Sequence, residues 1–213
     1  MRRLIFDFDG TLVDSMPVWA NFILDKLDEM GICYPDDIIK TVSPLGTRGA
    51  AEYLIMLGVD ATVDGLLSMM DDFALYEYTN NIPAKEGVKN KLKELKEKGY
   101  SLNILTACNH NLLEPCLKRL GLYGLFDNIW SCEEDIGMNK KTTDIYRIVS
   151  SKLGTVCENC VFFDDNIGAL TAAHKAGMIT VGVFDATSDD LIDEIKNITN
   201  KYLYDFSELD INI

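Results

Sequence analysis

Residues 3–14 read RLIFDFDGTLVD, and the first part, RLIFDF at 3–8, has the composition of a buried strand. Two carboxylates, Asp7 and Asp9, interrupt its end, and Gly10 follows at once. In a parallel α/β sheet, ligands bind beyond the carboxyl ends of the strands, so acids at this place are candidates for chemistry.

The second half of the chain supplies the rest of such a sheet. From about residue 86, EGVKNKLKELKEKG repeats Val88, Leu92 and Leu95 at helical spacing, and Gly99 closes the helix. Strands are expected at Tyr100–Thr106, Asn128–Cys132, Cys160–Asp165 and Ile179–Phe184. Helices are expected between them, over LLEPCLKRLG, TTDIYRIVSSKLG and GALTAAHKAG, with a last one over SDDLIDEIKNIT. Strand and helix in alternation imply a Rossmann-like parallel sheet with helices on both faces.

Between the first strand and this alternating part no strand pattern is found. Ser15 is placed to cap a helix from Pro17 that buries Val18, Phe22, Leu27 and Met30 and ends at Gly31. Further helices fit GAAEYLIMLG and DGLLSMMDDFALYEYT, the latter with Met and aromatic residues that read as packing. The expected division is therefore a catalytic core of residues 1–14 and 83–213 and an inserted α-helical cap of residues 15–82, returning through Asn81-Ile82-Pro83.

Composition narrows the partners. The 213 residues carry 34 Asp and Glu against 20 Lys and Arg, a formal charge of -14, with 47% hydrophobic residues. That is enough apolar content for a core, and the charge argues against nucleic acid or an anionic membrane surface as partner. The amino terminus lacks the apolar run of a signal peptide, and the longest apolar stretches are strand-length. A cytoplasmic monomer with reduced thiols is the resulting expectation. Cys157 and Cys160 form a lone CxxC without a second pair, which reads as core.

Placed on the expected sheet, four carboxylates meet at one edge: Asp7 and Asp9 after the first strand, Asp164 and Asp165 after the fourth. Thr106, Ala107, Cys108 and Asn109 end the second strand, and Lys140 and Lys141 precede a helix. Buried acids are costly unless paired or bound to metal. Hard oxygen donors from Asp7, Asp165 and Asp164 suit Mg²⁺, which would offset repulsion between a carboxylate nucleophile and a phosphate. One carboxylate can attack phosphorus. Asp9, two residues along an extended chain from Asp7, would lie on the same side and exchange protons with the leaving oxygen and water. Lys140 and Thr106 would hold the phosphoryl oxygens.

DFDGTLVD at 7–14 resembles the first motif of the haloacid dehalogenase superfamily, and three further motifs follow in order: LNILTACN, KKTTDIY and VFFDDNIGALTAAHKAGM. The resemblance implies that Asp7 is the nucleophile forming an aspartyl-phosphate, that Asp9 is the general acid/base, and that its backbone carbonyl also touches the metal. It implies that Thr106 and the amide of Ala107 hold the phosphoryl group and that Asp165 is the main metal ligand, with Asp164 direct or water-mediated. The third motif departs from the family run, with Lys141 and Thr143 in place of two prolines, so either Lys140 or Lys141 can be the phosphate-site lysine. A helical insert after the first motif is similar to the phosphoglycolate phosphatase and β-phosphoglucomutase subgroup, where it forms a mobile cap. SPLGTRG (Ser43–Gly49) would then be the substrate-reading loop. Arg48 would grip an anionic group, and Gly46 would let the backbone approach. Asn109 is a further candidate for substrate binding. The acid at Asp9 points to phosphate esters. A phosphatase acting on a small phosphorylated metabolite is the leading expectation, ahead of a sugar phosphomutase and of a non-catalytic phosphate-binding relative.

Overall fold

The structure is a computed structural model that describes residues 2–210. Its strands are β1 (Arg3–Phe6), β2 (Ser101–Thr106), β3 (Asn128–Ser131), β4 (Cys160–Asp164), β5 (Ile179–Val183) and β6 (Lys201–Leu203). They form one parallel sheet in the order β3-β2-β1-β4-β5-β6. The chain starts in the centre, and its crossovers diverge on either side of β1, which opens a crevice at the carboxyl edge. Phe6 pairs with Ile104 on one side and Phe163 on the other, so the residues after them emerge at the same level.

Both faces of the sheet are buried. Leu4, Phe6, Val161 and Phe163 pack into one apolar cluster, while the intervening Ile5 and Phe162 pack into a second on the opposite face. This alternation is the two-residue period of a strand covered on both sides. The covering helices of the core are α5 (Val88–Glu97), α6 (His110–Leu120), α7 (Thr143–Lys152), α8 (Ile167–Lys175) and α9 (Ile192–Ile198). Before α9, residues 186–191 are irregular, with Ser188 outside the helical region, so the last expected helix is shorter than its sequence pattern. The edge strand β6 was not expected.

The insert is helical as expected: α1 (Met16–Glu29), α2 (Ile38–Val42), α3 (Gly46–Met56) and α4 (Val63–Asn80). Phe22, Ile23, Leu27, Ile38, Leu54 and Met70 close a third apolar cluster separate from the sheet. The face of α1 differs in part from the sequence pattern, because Met30 is exposed and Val18 packs against the core instead. Helix α4 belongs to both units: Leu66 and Met70 lie in the cap cluster, and Ala74 and Tyr78 in the core cluster. The connections run side by side, with Asp14 N–H donating to Pro83 carbonyl at 3.0 Å and Val13 bridging Ala84. Among the described residues no helix is long and apolar enough to cross a membrane.

Candidate active site

The extended run ends at Phe6, earlier than the sequence suggests, and Asp7 only continues the ladder by donating its N–H to Phe163 carbonyl at 2.8 Å. The chain then turns. Phe8 carbonyl accepts from Leu12 and Val13, and Gly10 takes φ +73°. Two constraints make that residue glycine. The left-handed backbone penalises a side chain, and a Cβ there would lie 2.7 Å from Asp165 Oδ2. It is this turn, rather than strand alternation, that brings Asp9 beside Asp7.

Asp7, Asp164 and Asp165 each present an oxygen within 4.8 Å of the others, and all three are buried. Lys140 Nζ lies 2.6 Å from Asp7 Oδ1 and 2.8 Å from Asp164 Oδ2. The first contact is an ion pair, and Asp7 Oδ1 accepts no hydrogen bond of regular geometry. Asp165 Oδ1 accepts from Thr11 at 2.9 Å, and Asp164 Oδ1 accepts from Asn166 N–H at 2.7 Å. Burial, then Asp164 and Asp7, push the Asp165 carboxyl well above its ordinary value. Burial would lower Lys140, but Asp164 and Asp7 outweigh it and raise the ammonium well above the usual lysine value. Three buried carboxylates against one ammonium leave negative charge uncompensated. With oxygen donors alone and a buried Asp7 oxygen lacking a donor, the residues fit a hard divalent cation such as Mg²⁺.

Lys140, not Lys141, therefore reaches the carboxylates. The Tyr146 hydroxyl lies 2.8 Å from the Lys140 carbonyl and 2.9 Å from the Ala169 carbonyl, holding the lysine loop against α8. Lys141 is exposed and runs beside Gly168. On β2, Thr106 is buried at the strand end, where its Oγ1 accepts from Cys108 N–H at 3.0 Å.

Asp9 faces the cap. Its Oδ1 accepts from Ser15 Oγ at 2.6 Å and from the Tyr78 hydroxyl at 2.5 Å, and Trp19 Nε1 donates to that hydroxyl at 3.2 Å. Ser15 stands at the start of α1 but makes no capping bond, so its role differs from the sequence expectation. Burial raises the Asp9 carboxyl from 3.8 to about 6, against the lowering effect of the Ser15 and Tyr78 bonds. Neither Tyr78 of α4 nor Trp19 of α1 is signalled by the sequence pattern, in which the aromatic residues of α4 read as packing. Tyr78 is buried as packing demands, but its hydroxyl end is at the site.

Between cap and core lies a cavity of about 440 Å³ lined by Asp9, Ala107 and Asn109 on the core side and by Gly46 and Thr47 on the cap side. SPLGTRG is not a loop: a turn of 3₁₀ helix at Ser43–Leu45 leads directly into α3. Arg48, in the first turn of α3, is exposed, lies 3.7 Å from Asp64 and does not line the cavity, contrary to its expected role. Gly46 does line it, with φ +70° and open space where a Cβ would stand. Cys157 and Cys160 are buried beside Ser150 Oγ in the core, and among the described residues they join no group able to hold a metal.

A family model described as haloacid dehalogenase-like hydrolase matches residues 4–183. The chain belongs to that family. It is 28% identical over 184 residues to pyrophosphatase PpaX of Bacillus velezensis, covering 86% of this chain and 83% of the relative. It is 24% identical over 191 residues to a phosphorylated carbohydrates phosphatase of Thermotoga maritima, covering 89% and 88%. The fold is that of a crystal structure of a putative β-phosphoglucomutase from Thermotoga maritima, with a TM-score of 0.79, 22% identity and coverage of 98% and 96%. As a haloacid dehalogenase-like hydrolase, the chain is an enzyme.

Proposed function

We propose that this hydrolase is a Mg²⁺-dependent phosphatase that cleaves a small phosphate monoester through an aspartyl-phosphate, with residues 1–14 and 83–213 as its catalytic core and 15–82 as its cap. The observation that carries the reading is the pair Asp7 and Asp9, set by one turn so that the first meets Lys140 and the buried acids while the second faces the cavity.

Asp7 supplies the attacking carboxylate oxygen. It is ion-paired with Lys140, whose ammonium draws the phosphoryl oxygens toward it. Thr106 Oγ1 and the Ala107 amide, at the end of β2, would orient the same oxygens. Asp9, whose carboxyl burial raises to about 6, is protonated in roughly a tenth of the molecules at pH 7, and that form can give its proton to the departing alkoxide. Once ionised, it takes a proton from water, whose oxygen attacks the phosphorus of the aspartyl-phosphate and restores Asp7. Asp7, Asp164 and Asp165, with the Asp9 carbonyl, would hold Mg²⁺, which screens the negative charge of phosphate and nucleophile.

Hydrolysis is favoured over phosphomutation because, among the described residues, those that line the cavity include no lysine or arginine to hold a second phosphate, and Arg48 pairs with Asp64 outside it. The filled catalytic positions argue against a non-catalytic role. The test is phosphate release from p-nitrophenyl phosphate: it should vanish with chelator, return with Mg²⁺, and vanish in Asp7→Asn. Turnover retained by Asp7→Asn would refute covalent catalysis by this residue.

A further inference from the structure

The cavity beneath the cap is far larger than a phosphoryl group, and its volume of about 440 Å³ falls in the range of sites that enclose a whole small ligand. Its wall is therefore a statement about the alcohol that leaves. Trp19 and Ile23 of α1, Ile39 and Val42 of α2, and Met70 of α4 form one side, and Leu112 of α6 lies on the core side. A polyol pressed against this apolar side would set hydroxyls against Ile23, Ile39, Val42 and Met70, which offer no hydrogen bond, at the cost of their hydration. Polar side chains line other parts of the cavity, Thr47, Asp71, Asn109 and Glu133 among them, while Ser43, next to the apolar side, already donates its hydroxyl to the Ile39 carbonyl at 2.7 Å.

The charges at the cavity agree. Asp9 lines it from the core, Asp71 and Glu133 line it from cap and core, and among the described residues no lysine or arginine joins them. A carboxylate or second phosphate on the substrate would meet these like charges with no counter-ion from the protein, a form of rejection as effective for specificity as attraction.

We infer that the alcohol part of the substrate is uncharged and predominantly apolar, seated against the α1, α2 and α4 side chains beneath the cap, an inference that rests on the phosphate-monoester reading above. The enzyme selects for an apolar primary or secondary alcohol carrying a single phosphate, not for sugar phosphates or phosphorylated acids.

The experiment compares three primary alkyl phosphates of similar size and leaving-group basicity: cyclohexylmethyl phosphate, its 4-carboxy derivative and glucose 6-phosphate. With Mg²⁺ and phosphate release as readout, kcat/KM for cyclohexylmethyl phosphate should exceed both others by roughly tenfold or more. Equal or greater kcat/KM for either competitor overturns the inference while leaving the reaction standing. The double variant Asp71→Asn/Glu133→Gln should narrow the gap between the carboxylate ester and the neutral ester by several-fold, on the order of what two nearby charges supply at solvent-accessible distance. An unchanged gap removes the electrostatic argument. Ile39→Glu should depress kcat/KM for the cyclohexylmethyl ester more than for glucose 6-phosphate, and an equal loss for both would contradict the apolar wall. If none of the three esters nor p-nitrophenyl phosphate releases phosphate, the reaction itself has been misassigned and the inference falls with it.

Discussion

Gly10→Ala should damage this protein more than the same change at any glycine with a similar backbone and open surroundings. At φ +73° an added methyl brings left-handed strain of about 1 kcal/mol. It would also stand 2.7 Å from Oδ2 and 2.8 Å from Cγ and Oδ1 of Asp165, so the whole carboxylate must move. Asp165 is a short, buried side chain held by Thr11 at 2.9 Å, and it can yield only by losing that bond. A hydrogen bond to a carboxylate contributes about 1.5 to 3 kcal/mol, which makes the total about 3 kcal/mol. In a chain of this size that is a fall of roughly 6 to 12 °C in Tm. Gly154 is the control: φ is +67° and nothing lies within 4 Å of its Cβ position, so Gly154→Ala should lose only the strain, about 1 kcal/mol. Activity separates the two further. Moving Asp165 from the carboxylate group should cost at least about 100-fold in phosphate release at limiting Mg²⁺, whereas Gly154→Ala should keep it. Thermal melts and Mg²⁺ titrations of activity on both variants decide. Equal melting and equal activity for the two would refute the argument that Gly10 is set by its distance to Asp165.

Lys140→Met should abolish turnover and, by leaving Asp7 and Asp164 without their ammonium, destabilise the fold by about 3 to 5 kcal/mol in urea unfolding, while Lys141→Ala should leave both nearly unchanged. Asp165→Asn keeps an acceptor for Thr11 but removes a carboxylate whose charged form is disfavoured by burial and by its neighbours. Metal-free protein with this change should gain about 1 to 2 kcal/mol in chelator-containing melts and show no activity; a loss of stability would contradict the assigned repulsion. For Asp9, the carboxyl is raised from 3.8 to about 6 in the fold, so the native state binds its proton more tightly than the unfolded chain. That contribution is complete below about pH 4 and is lost as pH rises through 6, by up to roughly 3 kcal/mol. Urea unfolding of metal-free wild type relative to Asp9→Asn should show this difference, and parallel pH profiles would refute it.

The central sheet could be read from the chain because strands covered on both faces are apolar runs, such as LIF at 4–6 and VFF at 161–163, which few other structures bury so completely. The edge strand β6, only Lys201–Leu203, is half covered and carries no such run. The site acids were legible because their cost at strand ends is high. Their partners were less so. Ser15 at a helix start reads as a cap, and only coordinates show its hydroxyl turned to Asp9. Tyr78 sits in an amphipathic pattern that packing alone would explain, and its function lies in one terminal oxygen that periodicity does not register. Arg48 stands out in the sequence for its charge within SPLGTRG, whose composition reads as a loop. Once Gly46 and its successors form a helix, the residue is carried to the outer side, where Asp64 meets it.

Helix α4 is shared by two apolar clusters, and this gives the molecule a mechanical property. With Tyr78 and Ala74 packed in the core and Leu66 and Met70 packed in the cap, the helix is a lever whose fulcrum lies beside Asp9. From Tyr78 to Val63 the arm is about 22 Å, so a tilt of about 10° moves its far end by about 4 Å. A small rotation about Tyr78 is thereby amplified into a displacement of several ångströms at the rim. Because the Tyr78 hydroxyl is bonded to Asp9, a tilt of α4 at the rim of the cap reaches the Asp9 carboxyl.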